Sequence, residues 1–144
     1  MGGNHKKVPR RKFLATLTAG LVAGALPGCA ALSTYQGQLE GNRIILQLNE
    51  LGEDVAPGKT ILVGVPGSDE TLLLRRDAKG DFRALSSTCT HLGCQVRPAP
   101  NFFSCPCHGS TFDLRGQVVR GPAQKPLANF PVELKGGRIE ILIL

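Results

Sequence analysis

The chain has 144 residues, enough for one domain with a leader but too few for two full domains. Its formal net charge is +6, but five of the basic residues lie in the first dozen positions; from residue 29 onward, 12 Lys and Arg oppose 11 Asp and Glu. A nearly neutral body without Trp argues against nucleic-acid binding. Its 18 Gly and 10 Pro residues are typical of a small all-β fold with many turns.

Residues 1–32 have the composition of a targeting segment. A basic stretch that ends near Arg10 and Arg11 precedes a run without charged side chains, Phe13 to Leu32. The adjacent arginines before this run resemble the twin-arginine export signal. The alternative is an ordinary basic flank of an apolar helix.

The end of this leader allows three interpretations. The sequence Leu26-Pro-Gly-Cys29 resembles a lipobox, which would make Cys29 a lipid acceptor, although Pro27 departs from the usual pattern. The 20 uncharged residues from Phe13 to Leu32 are also just long enough to span a bilayer as an uncleaved anchor. Cleavage after Ala31 would instead release a soluble domain. We expect membrane attachment by one of the first two routes.

The remainder of the chain predicts strands. Residues 33–42 are polar and contain glycine, which predicts a short tether before a domain over 43–144. Apolar and β-branched runs bounded by turn residues predict strands at 43–48, 60–65, 70–75, 81–86, 129–134 and 138–142. Since no amphipathic helix of ordinary length is predicted beyond residue 32, the predicted fold class is an all-β antiparallel sandwich.

Two loops between the predicted strands contain the candidate metal ligands. Cys89 precedes His91 by two positions, and Cys105 precedes His108 by three. Thiolate and imidazole groups bind soft or borderline metals. Zinc fingers pair cysteine with cysteine and histidine with histidine, whereas each loop here mixes the two types. The mixed loops favour two metals, with both cysteines on one iron and both histidines on the other.

The segments Cys89-Thr-His-Leu-Gly-Cys94 and Cys105-Pro-Cys-His-Gly-Ser110 resemble the cluster loops of Rieske subunits from quinol-oxidising cytochrome complexes. This resemblance implies one [2Fe–2S] cluster, in which two histidines replace two cysteines on one iron. It further implies a disulfide between Cys94 and Cys107, a Rieske-type sandwich and a small cluster-binding tip at about residues 85–122. Export would provide the oxidising compartment that a disulfide needs.

The same resemblance assigns roles to residues around the ligands. Ser110 falls where a serine hydroxyl bonds a cluster sulfide, and Leu92 where an apolar side chain shields the cluster. Gly121-Pro122 matches a proline loop that covers the cluster. Phe112 departs from the high-potential members, which have tyrosine there. Because donors to the sulfurs raise the reduction potential, we expect an intermediate value within about −150 to +300 mV.

The implied function is an exported, high-potential one-electron carrier. It would be the iron–sulfur subunit of a cytochrome bc or b6f complex, attached to the extracytoplasmic (periplasmic) side of the membrane, with cytochrome b/c-type partners and quinol. Such a subunit transfers electrons within an oxidoreductase and is not a catalyst alone.

Two other functions are alternatives to this one. The small subunit of an exported molybdenum oxidoreductase of the arsenite oxidase kind, with a molybdopterin partner, also fits the short chain and the 13 residues between His91 and Cys105. An oxygenase would need two more histidines for a mononuclear iron site, whereas His5 is the only other histidine.

Overall fold

Thirteen strands and one short helix make up residues 32–143, the part of the chain that the computed structural model describes. The strands are β1 Thr34–Gln36, β2 Gln38–Glu40, β3 Arg43–Gln47, β4 Thr60–Gly64, β5 Thr71–Arg76, β6 Phe82–Ser86, β7 Arg97–Pro98, β8 Phe103–Ser104, β9 Thr111–Phe112, β10 Val118–Arg120, β11 Asn129–Phe130, β12 Val132–Lys135 and β13 Arg138–Leu142. Helix α1, Leu48–Leu51, leads into a 3-10 turn, Gly52–Val55. None of the helices among these residues has the length and apolar character that a membrane span requires. Residues 1–31 of the predicted leader, which include Arg10, Arg11 and Cys29, lie outside the described residues.

The strands form three sheets. Sheet 1 has the order β1-β4-β5-β6-β11, sheet 2 the order β12-β13-β3-β2, and sheet 3 the order β10-β9-β8-β7. The predicted all-β class is thereby confirmed, but the arrangement is not wholly antiparallel, because β1 pairs in parallel with β4. The chain between these two strands forms β2, β3 and α1, and so provides the crossover that parallel pairing requires.

Sheet 1 is covered on both faces by apolar side chains. Successive residues of a strand point to opposite faces, so the run Leu72-Leu73-Leu74 of β5 supplies both sides. Leu72 and Leu74 belong to the core shared with sheet 2, together with residues such as Ile44 and Ile139. Leu73 belongs to a second core that includes Cys89, Val96, Phe103, Cys105 and Phe112. The predicted ligand cysteines are therefore part of the packing on one face of sheet 1.

Two differences from the predicted strands have physical reasons. The expected tether, residues 33–42, contains β1 and β2, whose side chains are mostly exposed and whose pairing depends on the backbone. The single strand expected at 129–134 is divided at Pro131, which has no N–H to donate to a ladder. β11 pairs with β6 of sheet 1, whereas β12 pairs with β13 of sheet 2. The chain thus changes sheets at this proline.

Candidate metal centre

The first ligand loop, residues 89–94 (loop 1), is the tip of a hairpin. An antiparallel bridge between Thr88 and Gln95 closes the loop at its base. The backbone N–H of Cys89 donates to the carbonyl of Cys94 at 2.8 Å, and the N–H of Gly93 donates back to the carbonyl of Cys89 at 2.9 Å. Gly93 has φ +79°, a left-handed conformation that glycine adopts at low cost.

The second ligand loop, residues 105–110 (loop 2), repeats this backbone arrangement. The pair Ser104 and Thr111 closes its base. The N–H of Cys105 donates to the carbonyl of Ser110 at 2.8 Å, and that of Gly109 donates to the carbonyl of Cys105 at 3.0 Å. Gly109 has φ +75°. The two loops therefore place their first residues, both cysteines, in equivalent positions.

The two cysteines at these first positions are buried thiols, each 2% exposed and outside any disulfide. Burial raises the pKa of the Cys89 thiol, and the adjacent thiol of Cys105 raises it further. The backbone N–H of His91 and the hydroxyl of Ser110 act in the opposite direction, because both donate toward the Cys89 sulfur. The two sulfurs are adjacent and buried, and hydrogen-bond donors face that of Cys89. Such a pair is suited to binding a metal as thiolates.

The two predicted histidine ligands lie beside each other. The ring centroids of His91 and His108 are 4.9 Å apart, with an interplanar angle of 87°. His91 is partly buried, and its Nδ1 has no hydrogen-bond partner among residues 32–143, whereas His108 is exposed. An unpaired buried nitrogen costs free energy, and a bond to a metal removes that cost. The donor set of two thiols and two imidazoles therefore fits an iron–sulfur cluster of mixed ligation.

The disulfide between Cys94 and Cys107 is present and joins the two loops. Its Cα atoms are 6.5 Å apart, and its residues are separated by 13 positions in sequence. The Sγ atom of Cys105 lies within 4.8 Å of both disulfide sulfurs. The three sulfurs do not form a three-cysteine metal site, because two of them are bonded to each other. Cys105 is a candidate ligand, and Cys94 and Cys107 form the disulfide beside it.

Ser110 connects loop 2 to the predicted proline loop. Its side chain is fully buried, and its hydroxyl accepts a hydrogen bond from the backbone N–H of Ala123 at 3.0 Å. Because this oxygen accepts from Ala123, its own hydrogen remains available for the Cys89 sulfur. The Gly121-Pro122 peptide bond before Ala123 is cis.

Thr90 makes a matching contact from loop 1, which the sequence analysis missed. Its hydroxyl donates to the carbonyl of Lys125 at 2.6 Å. Each ligand loop thus holds the chain around Pro122 by one hydroxyl group. The sequence shows that a hydroxyl residue, Thr90, directly follows a predicted ligand cysteine. Its hydrogen-bond partner, however, lies 35 positions away in the chain. Only the fold shows that the two residues meet.

The other predicted residues fall into two settings. Leu92 is at the outer surface of loop 1, 68% exposed. Phe112 is fully buried opposite Phe103 and belongs to the same apolar cluster as both predicted ligand cysteines. Pro122 lines an open cleft beside His91. The structure therefore brings Phe112 and Pro122 to the neighbourhood of the site from different sides.

A family model of the Rieske [2Fe–2S] domain matches residues 48–131, more than half of the chain. The chain belongs to the Rieske [2Fe–2S] family. A Rieske domain binds a [2Fe–2S] cluster, so the predicted cofactor is confirmed. The residue range of the match includes both ligand loops and the proline loop.

Comparison with individual proteins agrees with this family. The chain is 37% identical over 138 residues to cytochrome b6-f complex iron-sulfur subunit 1 of Nostoc sp. (strain PCC 7120), covering 83% of this chain and 75% of that protein. It superposes on the plasma membrane Rieske protein PetC3 of Synechocystis PCC 6803 with a TM-score of 0.54 and 28% identity, over 66% of this chain and 93% of that one. A chain of a hyperthermophilic respiratory complex III gives a TM-score of 0.55 and 30% identity, over 66% of this chain and 71% of that one.

Proposed function

We propose that this protein is the iron–sulfur subunit of a quinol-oxidising cytochrome complex of the bc or b6f type. The observation that carries the proposal is the pair of ligand loops, which contain two buried thiols and two adjacent imidazoles and are joined by a disulfide. Relatives named for the cytochrome b6-f complex and complex III support a cytochrome partner over a molybdopterin partner.

In this proposal Cys89 and Cys105 hold one iron, and His91 and His108 hold the other. When bound, the cluster supplies reversible one-electron transfer at a potential that the surrounding hydrogen bonds adjust. The protein's own contribution is to keep the sulfurs buried and to bring the imidazoles to the surface. This arrangement shields the thiolates from water while a redox partner approaches the histidines.

The proposed ligand atom of His91 is Nδ1, because this is its buried nitrogen without a partner. Its Nε2 is then left to hold or release a proton. A quinol hydroxyl hydrogen-bonded at this nitrogen could give its proton to the imidazole. The cleft beside His91, lined by Pro122 and Gln124, offers the space for such an approach.

We further propose that the domain works outside the cytoplasm and is attached to the membrane. Disulfides persist in oxidising compartments, so the Cys94–Cys107 bond supports export by the predicted leader. Replacement of Arg10 and Arg11 with lysine should retain the precursor in the cytoplasm if export is twin-arginine dependent; unchanged export contradicts that route. Cys29→Ser should release the protein from membranes only if a lipid is the anchor.

The function is tested by complementing a deletion of the gene in its own host. The wild-type chain should restore quinol oxidation, co-purify with a cytochrome b subunit and give the low-g electron paramagnetic resonance signal of mixed nitrogen and sulfur ligation. Cys89→Ser and Cys105→Ser should abolish both activity and signal. Arg97→Gln, an exposed substitution outside the site, is the matched control. If the protein gives the normal electron paramagnetic resonance signal but no cytochrome b subunit co-purifies with it, the cofactor assignment stands and the proposed function is excluded.

A further inference from the structure

A second charged site lies on the same face of sheet 1 as the cluster-binding part. Three arginines line a cleft between sheet 1 and the turn that follows β9: Arg75 of β5, Arg83 of β6 and Arg115 of the turn. The other lining residues are Gly58, Asp77, Ala78 and Leu114. We refer to this site as the arginine cleft. It contains none of the proposed iron ligands.

The strand register forces two of these arginines together. Arg75 and Arg83 are direct partners across the antiparallel β5–β6 pair, so their side chains leave the same face of the sheet. Like charges placed directly opposite each other in a sheet are destabilising. Arg75 is also partly buried, and this burial lowers the pKa of its guanidinium. Its Nη1 donates to the hydroxyl of Thr60 at 3.1 Å, which fixes its direction.

Among the described residues, no acidic side chain forms an ion pair with an arginine of the cleft. The ion pairs within 4.0 Å in residues 32–143 use Arg43, Lys135 and Arg138 as their cations, and none of the three cleft arginines. The remaining residues on the N-terminal side, 1–31, contain no Asp or Glu. The remaining negative charge near these arginines therefore comes from solvent counterions or from a bound anion.

Two aspartates near the cleft accept hydrogen bonds from backbone N–H groups of their own turns. Asp77 lines the cleft, and its Oδ1 accepts hydrogen bonds from the N–H groups of Lys79 and Asp81. Asp113 precedes Arg115 by two positions, and its Oδ1 accepts from the N–H groups of Arg115 and Gln117. These bonds hold both carboxylates within their own turns. Counting Asp77, the lining of the cleft carries a net charge of +2.

We propose that the arginine cleft binds a phosphate group. Each guanidinium presents a planar fork of donors that matches phosphate oxygens, and a tetrahedral phosphate directs its oxygens toward more sides than a planar carboxylate does. A phosphate dianion also balances the net charge of the lining. A group bound there would join Arg75 and Arg83 of sheet 1 to Arg115 of the cluster-binding part. Inorganic phosphate supplies this dianion, and the phosphodiester of a phospholipid headgroup supplies the same kind of oxygens with a single negative charge.

The binding test uses the full-length holoprotein in a non-ionic detergent. Isothermal titration with sodium phosphate, and separately with monomeric dihexanoyl phosphatidylglycerol, is carried out at constant ionic strength. We expect saturable 1:1 binding of at least one probe, weakened about tenfold or more by Arg115→Gln because one charged fork is lost. Tighter binding of the lipid identifies a headgroup site, and tighter binding of phosphate identifies a free-phosphate site.

A matched control and a second variant keep the test decisive. Arg97→Gln removes an exposed arginine of the cluster-binding part. Because Arg97 does not line the cleft, this variant should leave the affinity unchanged. Arg83→Gln relieves the repulsion with Arg75, so it should raise the melting temperature in phosphate-free buffer and diminish the further rise caused by phosphate. The proposal is overturned if neither probe saturates at millimolar concentration, or if Arg97→Gln weakens binding as much as Arg115→Gln.

Discussion

Loop 1 and loop 2 have equivalent backbones but different side chains. In both, the first residue donates to the carbonyl of the sixth, the fifth is a left-handed glycine, and a β-pair closes the base. The cysteine proposed as a ligand is at the first position in each. The histidine, however, is third in loop 1 and fourth in loop 2. The common backbone thus places the two cysteines in equivalent positions. The different order of side chains places the two histidines differently relative to them.

The loops also differ in how they are held. The sixth residue of loop 2, Ser110, is fully buried and bonded to Ala123. The sixth residue of loop 1, Cys94, is only half-buried, and the loop is tied to the rest of the protein by its disulfide and by the hydroxyl of Thr90. We therefore expect loop 1 to depend more on the crosslink, and loop 2 more on buried hydrogen bonds.

The largest expected effect is loss of the disulfide. Cys94→Ser with Cys107→Ser should destabilise the protein by about 3 kcal/mol, the loop-entropy value for a short closed segment. Chemical unfolding of the holoprotein measures this change, and hydrogen exchange should show greater loss of protection at Gly93 than at Gly109. A dithiothreitol-treated wild type is the control, since it should match the variant. Equal loss at both glycines would show that loop 1 is no more dependent on the crosslink than loop 2.

The second largest effect is expected from removal of the buried hydroxyl group of Ser110 in loop 2. Ser110→Ala leaves the N–H of Ala123 without its partner and should cost about 1–3 kcal/mol. It also removes a donor from the Cys89 sulfur, so the reduction potential should fall by an amount on the order of tens of millivolts. Thr90→Ala is the comparison in loop 1, where water can replace the exposed hydroxyl at smaller cost. Equal destabilisation by the two variants would contradict the proposed difference between the loops.

The paired glycines test whether the two backbones are energetically equivalent. Gly93→Ala and Gly109→Ala should each cost about 1–2 kcal/mol, because a side chain disfavours the left-handed region. A Cβ atom at either position meets nothing within 4 Å, so steric overlap adds little. Asparagine, which tolerates this conformation better, should cost less at both sites. A large difference between the two alanine variants in thermal unfolding would break the equivalence.

The smallest expected effect concerns the departure at Phe112. Phe112→Tyr adds a hydroxyl that, if it meets a ligand sulfur, should raise the potential by an amount on the order of tens of millivolts, since 59 mV corresponds to about 1.4 kcal/mol for one electron. Phe103→Tyr is the matched control, because both rings are fully buried and directly opposite each other. Protein-film voltammetry compares them. An unchanged or lower potential in Phe112→Tyr would show that this ring does not face the sulfurs.

The sequence was most informative where local pattern and chemistry decide the outcome. The strand at 138–142 alternates apolar and charged residues, and β13 has those same bounds. The mixed loops indicated the cofactor because each contains one cysteine and one histidine, whereas zinc fingers pair like ligands with like. The pairing of Cys94 with Cys107 was predicted from resemblance to a family, and the structure contains that disulfide.

Tertiary structure decided whatever depends on pairing between distant segments. β1 and β2 lack an apolar pattern and form through backbone bonds to β4 and β3, so their side chains did not reveal them. The bond from Thr90 to Lys125 and the opposition of Arg75 and Arg83 likewise require the fold and the strand register. The residue types that bind metal are visible in the sequence, but the distances between partners far apart along the chain are set only when the sheets assemble.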